Sequence, residues 1–232
     1  MSRIPFSVYD FFGYLTSGFL VLAALDLVFT GGSVIRSDMQ LLPGLFWLVV
    51  AYVTGHIVAN ISSFFLEQLL VQRLLRRPYQ VLFEAPAPGK WTRLFPGYYE
   101  PLPQETIERV LKKADERAGI AQPGLGLFLH CFAFVRGDED ARGRLDHFLT
   151  LYGFSRNVAT AAAIAVLILA AGIISMDSVE VALRSVELRW AVAAAIAVVG
   201  LLYRYLKFFR LYSVEVFTRY AELEPPTSAN SA

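Results

Sequence analysis

Charge is scarce in this chain. Asp, Glu, Lys and Arg make up 18% of its 232 residues, against about 25% in an average globular domain. The two signs nearly cancel, leaving a formal net charge of +1, so a broad basic face for nucleic acid is excluded and no nucleic-acid partner is expected. There is one cysteine, Cys131, which excludes a disulfide within the chain. His130, Cys131 and His147 supply at most three soft ligands at poor spacing, so neither a metal site nor a cofactor is expected. The chain has no Gly-rich phosphate loop, no Gly-x-Ser-x-Gly elbow and no His-Glu-x-x-His pair. Ser62, Ser63 and Ser155 have no convincing base partner in the sequence. No catalytic residue is named on these grounds.

What the chain does have is apolar length. Hydrophobic residues make up 56% of it, and its mean hydropathy is +0.49. The excess falls in four blocks, from about Val8 to Phe29, Pro43 to Leu66, Val158 to Ser175, and Trp190 to Phe209. Each covers roughly 30 Å as a helix, which is the thickness of a bilayer core. The fourth reaches only if Arg204 and Lys207 extend their long side chains to the interface. The first block is too long for a signal peptide, holds Asp10 and Asp26, and leads straight into the second. Ser7 with Asp10 three residues later forms a capping-box-like start. The expectation is an all-α integral membrane protein of four transmembrane helices, with a mainly helical cytoplasmic insert between spans two and three.

Arginine and lysine orient the spans. The connection 30–42 holds only Arg36, and 176–189 holds Arg184 and Arg189. The connection 67–157 opens with Arg73, Arg76 and Arg77 and closes with Arg142, Arg144 and Arg156, and the C-terminal tail is also basic. Both termini and the long connection are therefore expected in the cytoplasm, with the protein multi-pass in the inner (plasma) membrane. The expected organisation is spans one and two in 1–77, the insert in 78–155, spans three and four with a helical extension in 156–223, and a disordered tail in 224–232.

Inside span two runs a polar stripe. Tyr52, His56, Asn60, Ser63 and Glu67 recur at steps of four, four, three and four, which places them on one side of an α-helix. Polar groups are costly in hydrocarbon, so this face must meet protein, water or a ligand. Span one offers a matching face in Asp10, Tyr14 and Ser17, with Gly13 and Gly18 beside it to allow close approach. In an antiparallel arrangement Asp10, Glu67, Arg156, Arg204 and Lys207 fall in one cytoplasmic charge layer. The expected pairs are Glu67 with Arg156 and Asp10 with Arg204, because buried ions persist mainly when paired. His56 lies about 16 Å deeper than Glu67. The bland account of stripe and layer is a register clamp and interhelical glue, and the sharper one is a proton or ion path. Asp26 is expected at the outer interface, as an interfacial residue and not a site.

The insert begins at Pro78. Six of eleven prolines fall between Pro78 and Pro103, with aromatics between them, which predicts an irregular segment or small hairpin. Gln104 to Ala118 is an amphipathic helix stopped by Gly119, and Leu125 to Val135 a more apolar one. A last helix from about Ala141 is expected to continue into span three, coupling the insert to the membrane helices.

Two strings resemble uncharacterised small bacterial inner-membrane proteins with four spans and a cytoplasmic insert. They are Tyr9-Asp10-Phe11-Phe12-Gly13-Tyr14-Leu15 with Gly18, and Leu151-Tyr152-Gly153-Phe154-Ser155-Arg156-Asn157. Proteins of that build include membrane effectors of bacterial phage defence. Arg142 and His147 also reproduce the Arg-x4-His spacing of HEPN-type ribonucleases, but 17 arginines and three histidines produce such a spacing by chance. The expected function is a non-enzymatic membrane subunit that transmits signals or perturbs permeability, as a homo-oligomer or with a membrane or cytoplasmic protein partner on residues 78–155. One alternative is an enzyme acting on lipid or a lipid-linked substrate, with Glu67, His56 and Asp10 as acid–base groups. The other is a scaffold for another membrane protein.

Overall fold

A computed structural model describes residues 8–36, 40–84, 86–175 and 181–223, without the side chains of 8–10 and 181–183. Ser7 and the tail 224–232 lie outside the described residues, and so does the side chain of Asp10. Among the described residues 86% are helical and no strand occurs. The chain orders as α1 (Val8–Thr30), α2 (Ser33–Arg36), α3 (Leu41–Ser62), a π-helical run (Ser63–Leu75), α4 (Pro78–Val81), α5 (Lys90–Leu94), a 3₁₀ turn (Pro96–Tyr98), α6 (Gln104–Ala118), α7 (Leu125–Val135), α8 (Glu139–Ser175) and α9 (Val181–Glu222). Among the described residues four helices are long and apolar enough to cross a membrane: Phe11–Thr30, Leu41–Val81, Glu139–Ser175 and Arg184–Glu222.

Three expectations change. The stripe helix is not α-helical to its end, because it passes into π geometry at Ser63. The segment after Pro78 forms short helical turns and no hairpin. The fourth apolar helix begins at Val181, well before Trp190, so the charged residues Arg184, Glu187 and Arg189 belong to a helix and not to a loop.

The chain divides into two compact units, 1–70 with 150–205 and 71–149 with 206–232. In the first, α1 and α3 meet backbone to backbone. A Cβ on Gly18 would overlap the Ala51 carbonyl, and one on Gly55 the Tyr14 carbonyl. Helix α8 completes the packing with small residues. Ala161 joins Val21 and Val58, and Ala165 joins Ala24 and Leu169. Of its most apolar window 44% is buried, against 6% for α9, so α8 is central and α9 lies loosely against the unit. The turn after α1 is built by Asp26. Its carboxylate accepts from the Thr30 hydroxyl and from the backbone N–H of Val34 (3.2 Å) and Ile35 (3.0 Å). Gly31 and Gly32 take the positive φ that the reversal needs.

In the second unit the C-terminal half of α9 packs against the segment 71–149. Phe217 and Tyr220 share a core with Val110, Leu127, Cys131 and Val135. Lys113 donates to the Tyr220 carbonyl (2.7 Å) and to that of Leu223, placing a cation on the helix C-terminus, where the dipole favours it. Arg144 pairs with Glu215 at 2.8 Å. Asp138 caps α8 by accepting from the Ala141 N–H at 2.8 Å. The π-helical run ends because Arg76 turns to φ 63° and Arg77 is extended before Pro78. The freed Arg76 carbonyl accepts from the Tyr98 hydroxyl at 2.8 Å, and burial holds that phenol well above its ordinary pKa.

The α1–α3 contact gives a direct test. Gly18→Ala and Gly55→Ala are each expected to cost about 1–3 kcal/mol or more, since the clash is with backbone. Gly44→Ala, with nothing within 4 Å of its Cβ position, is expected to be neutral or slightly stabilising. Thermal unfolding in detergent, followed by circular dichroism, separates the three variants.

Candidate functional site

The polar stripe resolves into two groups of contacts, both within the first unit. The inner one surrounds His56. Its ring stacks on Tyr14 at 4.1 Å between centroids and meets Tyr52 edge-on at 4.6 Å. Phe11 lies 5.4 Å from Tyr52. This enclosure follows from the glycine contact, because Tyr14 and His56 flank Gly18 and Gly55 in sequence and are drawn together when the backbones touch. Ser17 is buried but donates back to the Tyr14 carbonyl of its own helix at 2.9 Å, so it does not bridge to α3. Asn60 is exposed on α3.

The outer group is a clasp on Glu67. One carboxylate oxygen accepts from the Tyr152 hydroxyl at 3.0 Å and from the Arg156 guanidinium, and the other accepts from the Ser63 hydroxyl at 3.3 Å. Arg156 also donates through two nitrogens to the Asn157 side-chain oxygen, at 3.2 and 3.1 Å. Its guanidinium lies 5.7 Å from the Tyr152 ring centroid, and that ring stacks on Tyr205 at 5.8 Å. The Arg156 and Glu67 side chains are 15% and 30% exposed. A half-buried pair of this kind is worth more than a surface ion pair, because the low dielectric strengthens it and removing one partner strands the other. The site falls where α3 has become π-helical, a geometry common at functional positions.

Within the expected charge layer, Glu67 and Arg156 meet. The side chain of Asp10, the proposed partner of Arg204, is not described. Arg204 and Lys207 are both exposed on α9, and Lys207 belongs to the second unit. Tyr152 and Asn157 are components that the sequence reading did not single out. Tyr152 sits four residues before Arg156, on the same helical face, and that spacing was the available signal. Glu187 is a larger omission. It is 2% exposed, and its carboxylate lies 3.2 Å from where a Cβ on Gly172 would stand. Assigning 176–189 to a connection hid it.

Elsewhere the chemistry is sparse. No group of three or more His, Cys, Asp or Glu gathers for a metal among the described residues. His130 contacts the Tyr220 hydroxyl at 3.0 Å. Arg142 and His147 are both exposed on α8. Cys131 is fully buried, and burial pushes its thiol up to about 12. Comparison with protein-family models, curated proteins and solved structures finds no match to this chain.

Two outcomes follow from this geometry. Arg156→Ala and Glu67→Gln are each expected to cost about 1.5–3 kcal/mol, and the double variant far less than the sum, as a double-mutant cycle of thermal unfolding would measure. Cys131 is expected to resist a thiol reagent at pH 8 until the protein is unfolded. Because folding favours the protonated thiol, its contribution to stability is full below the ordinary thiol value near 9.0 and is lost as pH rises toward about 12.

Proposed function

We propose that this chain is a non-enzymatic multi-pass membrane subunit that transmits a signal or alters permeability, acting as an oligomer in the inner membrane with both termini in the cytoplasm. In this reading residues 78–155 form a cytoplasmic insert that receives the partner or signal. A defence-type effector of bacteria is one form such a subunit takes.

The observation that carries the reading is the Glu67 clasp. Its charges sit on two continuous helical runs, Leu41–Leu75 and Glu139–Ser175, and each run also supplies residues to the second unit. A change in one ion pair is thus a local electrostatic event on helices that both units share, which is the kind of element a switch requires. The enzyme alternative gains nothing from this geometry. Both oxygens of Glu67 accept hydrogen bonds, and an acid–base role needs an oxygen in reach of substrate.

Reconstitution in liposomes tests the proposal. Ion leakage is expected that Glu67→Gln and His56→Ala change several-fold, while helicity and co-flotation stay as in the parent protein. Tight vesicles with all three proteins would remove the permeability arm. The orientation has its own check in a Cys131→Ala background. A cysteine at Lys90 is expected to be shielded in intact cells from a reagent that cannot cross the membrane, and one at Ser33 is expected to react.

A further inference from the structure

The first unit contains a cleft of about 480 Å³ bounded by α1, α2, α8 and α9. Its walls are almost wholly apolar and largely small, with Ala24 on α1, Ala165 on α8 and Ala194 on α9. The small side chains leave it open, because α9 leans on the unit without filling the space. Three helices give its length independently. The lining runs from Leu20 to Leu27, from Ala162 to Leu169 and from Trp190 to Ala197. Each stretch is eight residues, with seven rises between its ends, so about 10 Å. That is most of the hydrocarbon of one leaflet, which is roughly 15 Å thick.

The cleft has two unlike ends. Leu27, Leu169, Trp190 and Arg36 lie at one end, and the other is closed by apolar residues alone. Trp190 is 57% exposed, as befits an indole at the headgroup level. Arg36 is exposed in the last turn of α2, and no carboxylate among the described residues lies within ion-pair distance of it. The nearby Asp26 carboxylate accepts from Thr30 and from the N–H groups of Val34 and Ile35, and it interacts with the Arg36 charge only at longer range, which leaves the guanidinium's own donors to a phosphate. A cationic mouth above an apolar slot complements an amphiphile with a negative head. Volume decides between a lipid chain and a protein helix. The seven residues of helix that match a length of about 10 Å occupy about 800 Å³ as a cylinder of roughly 10 Å diameter, well over the space available.

We propose that this cleft binds an anionic phospholipid, with one acyl chain between α1, α8 and α9 and its phosphate at Arg36. The site rests on the membrane reading above, and its test separates the two. The full chain with Trp47→Phe and Trp91→Phe retains Trp190 as its single tryptophan. It is reconstituted in phosphatidylcholine vesicles carrying rising fractions of brominated phosphatidylglycerol or brominated phosphatidylcholine, and Trp190 quenching is followed. Half-maximal quenching is expected at an about fivefold lower fraction of the anionic lipid, the effect of one basic residue at a lipid surface. Arg36→Gln and, separately, Ala194→Phe are expected to abolish that preference while helicity is kept. Equal quenching by the two lipids overturns the site. So does a preference that survives Arg36→Gln or Ala194→Phe, or one that appears only at high protein density, which would mean that a second copy covers the cleft. Protein that fails to float with the vesicles overturns the membrane reading itself.

Discussion

The contact between the α1 and α3 backbones at Gly18 and Gly55 is the constraint on which the first unit depends. Without a Cβ on either glycine, the helices approach until carbonyl oxygens fill the space that side chains would occupy. Small residues at a helix contact let the backbones approach closely, and dense packing of this kind carries much of the cohesion between α1 and α3. The same approach draws Tyr14 onto the ring of His56 and encloses it with Tyr52. A separation wider by one methyl group would dissolve that stack.

Polar groups in these helices follow two regimes, set by how much each must be compensated. Single hydroxyls use their own helix. Ser17, Thr54, Thr160 and Ser175 each donate to a carbonyl three or four residues back, at 2.8–3.1 Å. A charge cannot be met that way, because a backbone carbonyl does not neutralise it and desolvation is far more expensive. Glu67 therefore adds partners from another helix, Tyr152 and Arg156 of α8, to Ser63 of its own run. Asp26 takes them from the turn that follows it. The lipid proposed at Arg36 extends the same logic to a cation, met by a bound phosphate.

The second unit is held by more ordinary means. An amphipathic α6, an apolar α7 and the C-terminal part of α9 bury Val110, Cys131 and Phe217 together. Lys113 ties the end of α9 to α6 through carbonyls that no helical turn remains to satisfy. The last described stretch of the chain is thus part of the core of this unit.

Local features were legible in the residues because local physics decides them. Gln104–Ala118 and Leu125–Val135 form the helices that their periodicity and the Gly119 stop indicate, and four long apolar runs are helical, a structure that satisfies its backbone hydrogen bonds within the segment. Reading charge as a loop signal failed at Arg184–Arg189, where α9 continues through the charged residues. The π-helical run from Ser63 is likewise hidden, since it depends on how α3 is held and not on which residues compose it. By itself the sequence determined the all-helical class and the number of helices long and apolar enough to cross a membrane, both consequences of a fixed residue period and of apolar length. Tertiary structure alone decided that Tyr152 joins Arg156 on Glu67, that Glu187 is buried beside Gly172, that the end of α9 belongs with 71–149, and that a cleft opens among three helices. Each of these turns on the distance between residues far apart in the chain, and that distance is set by packing.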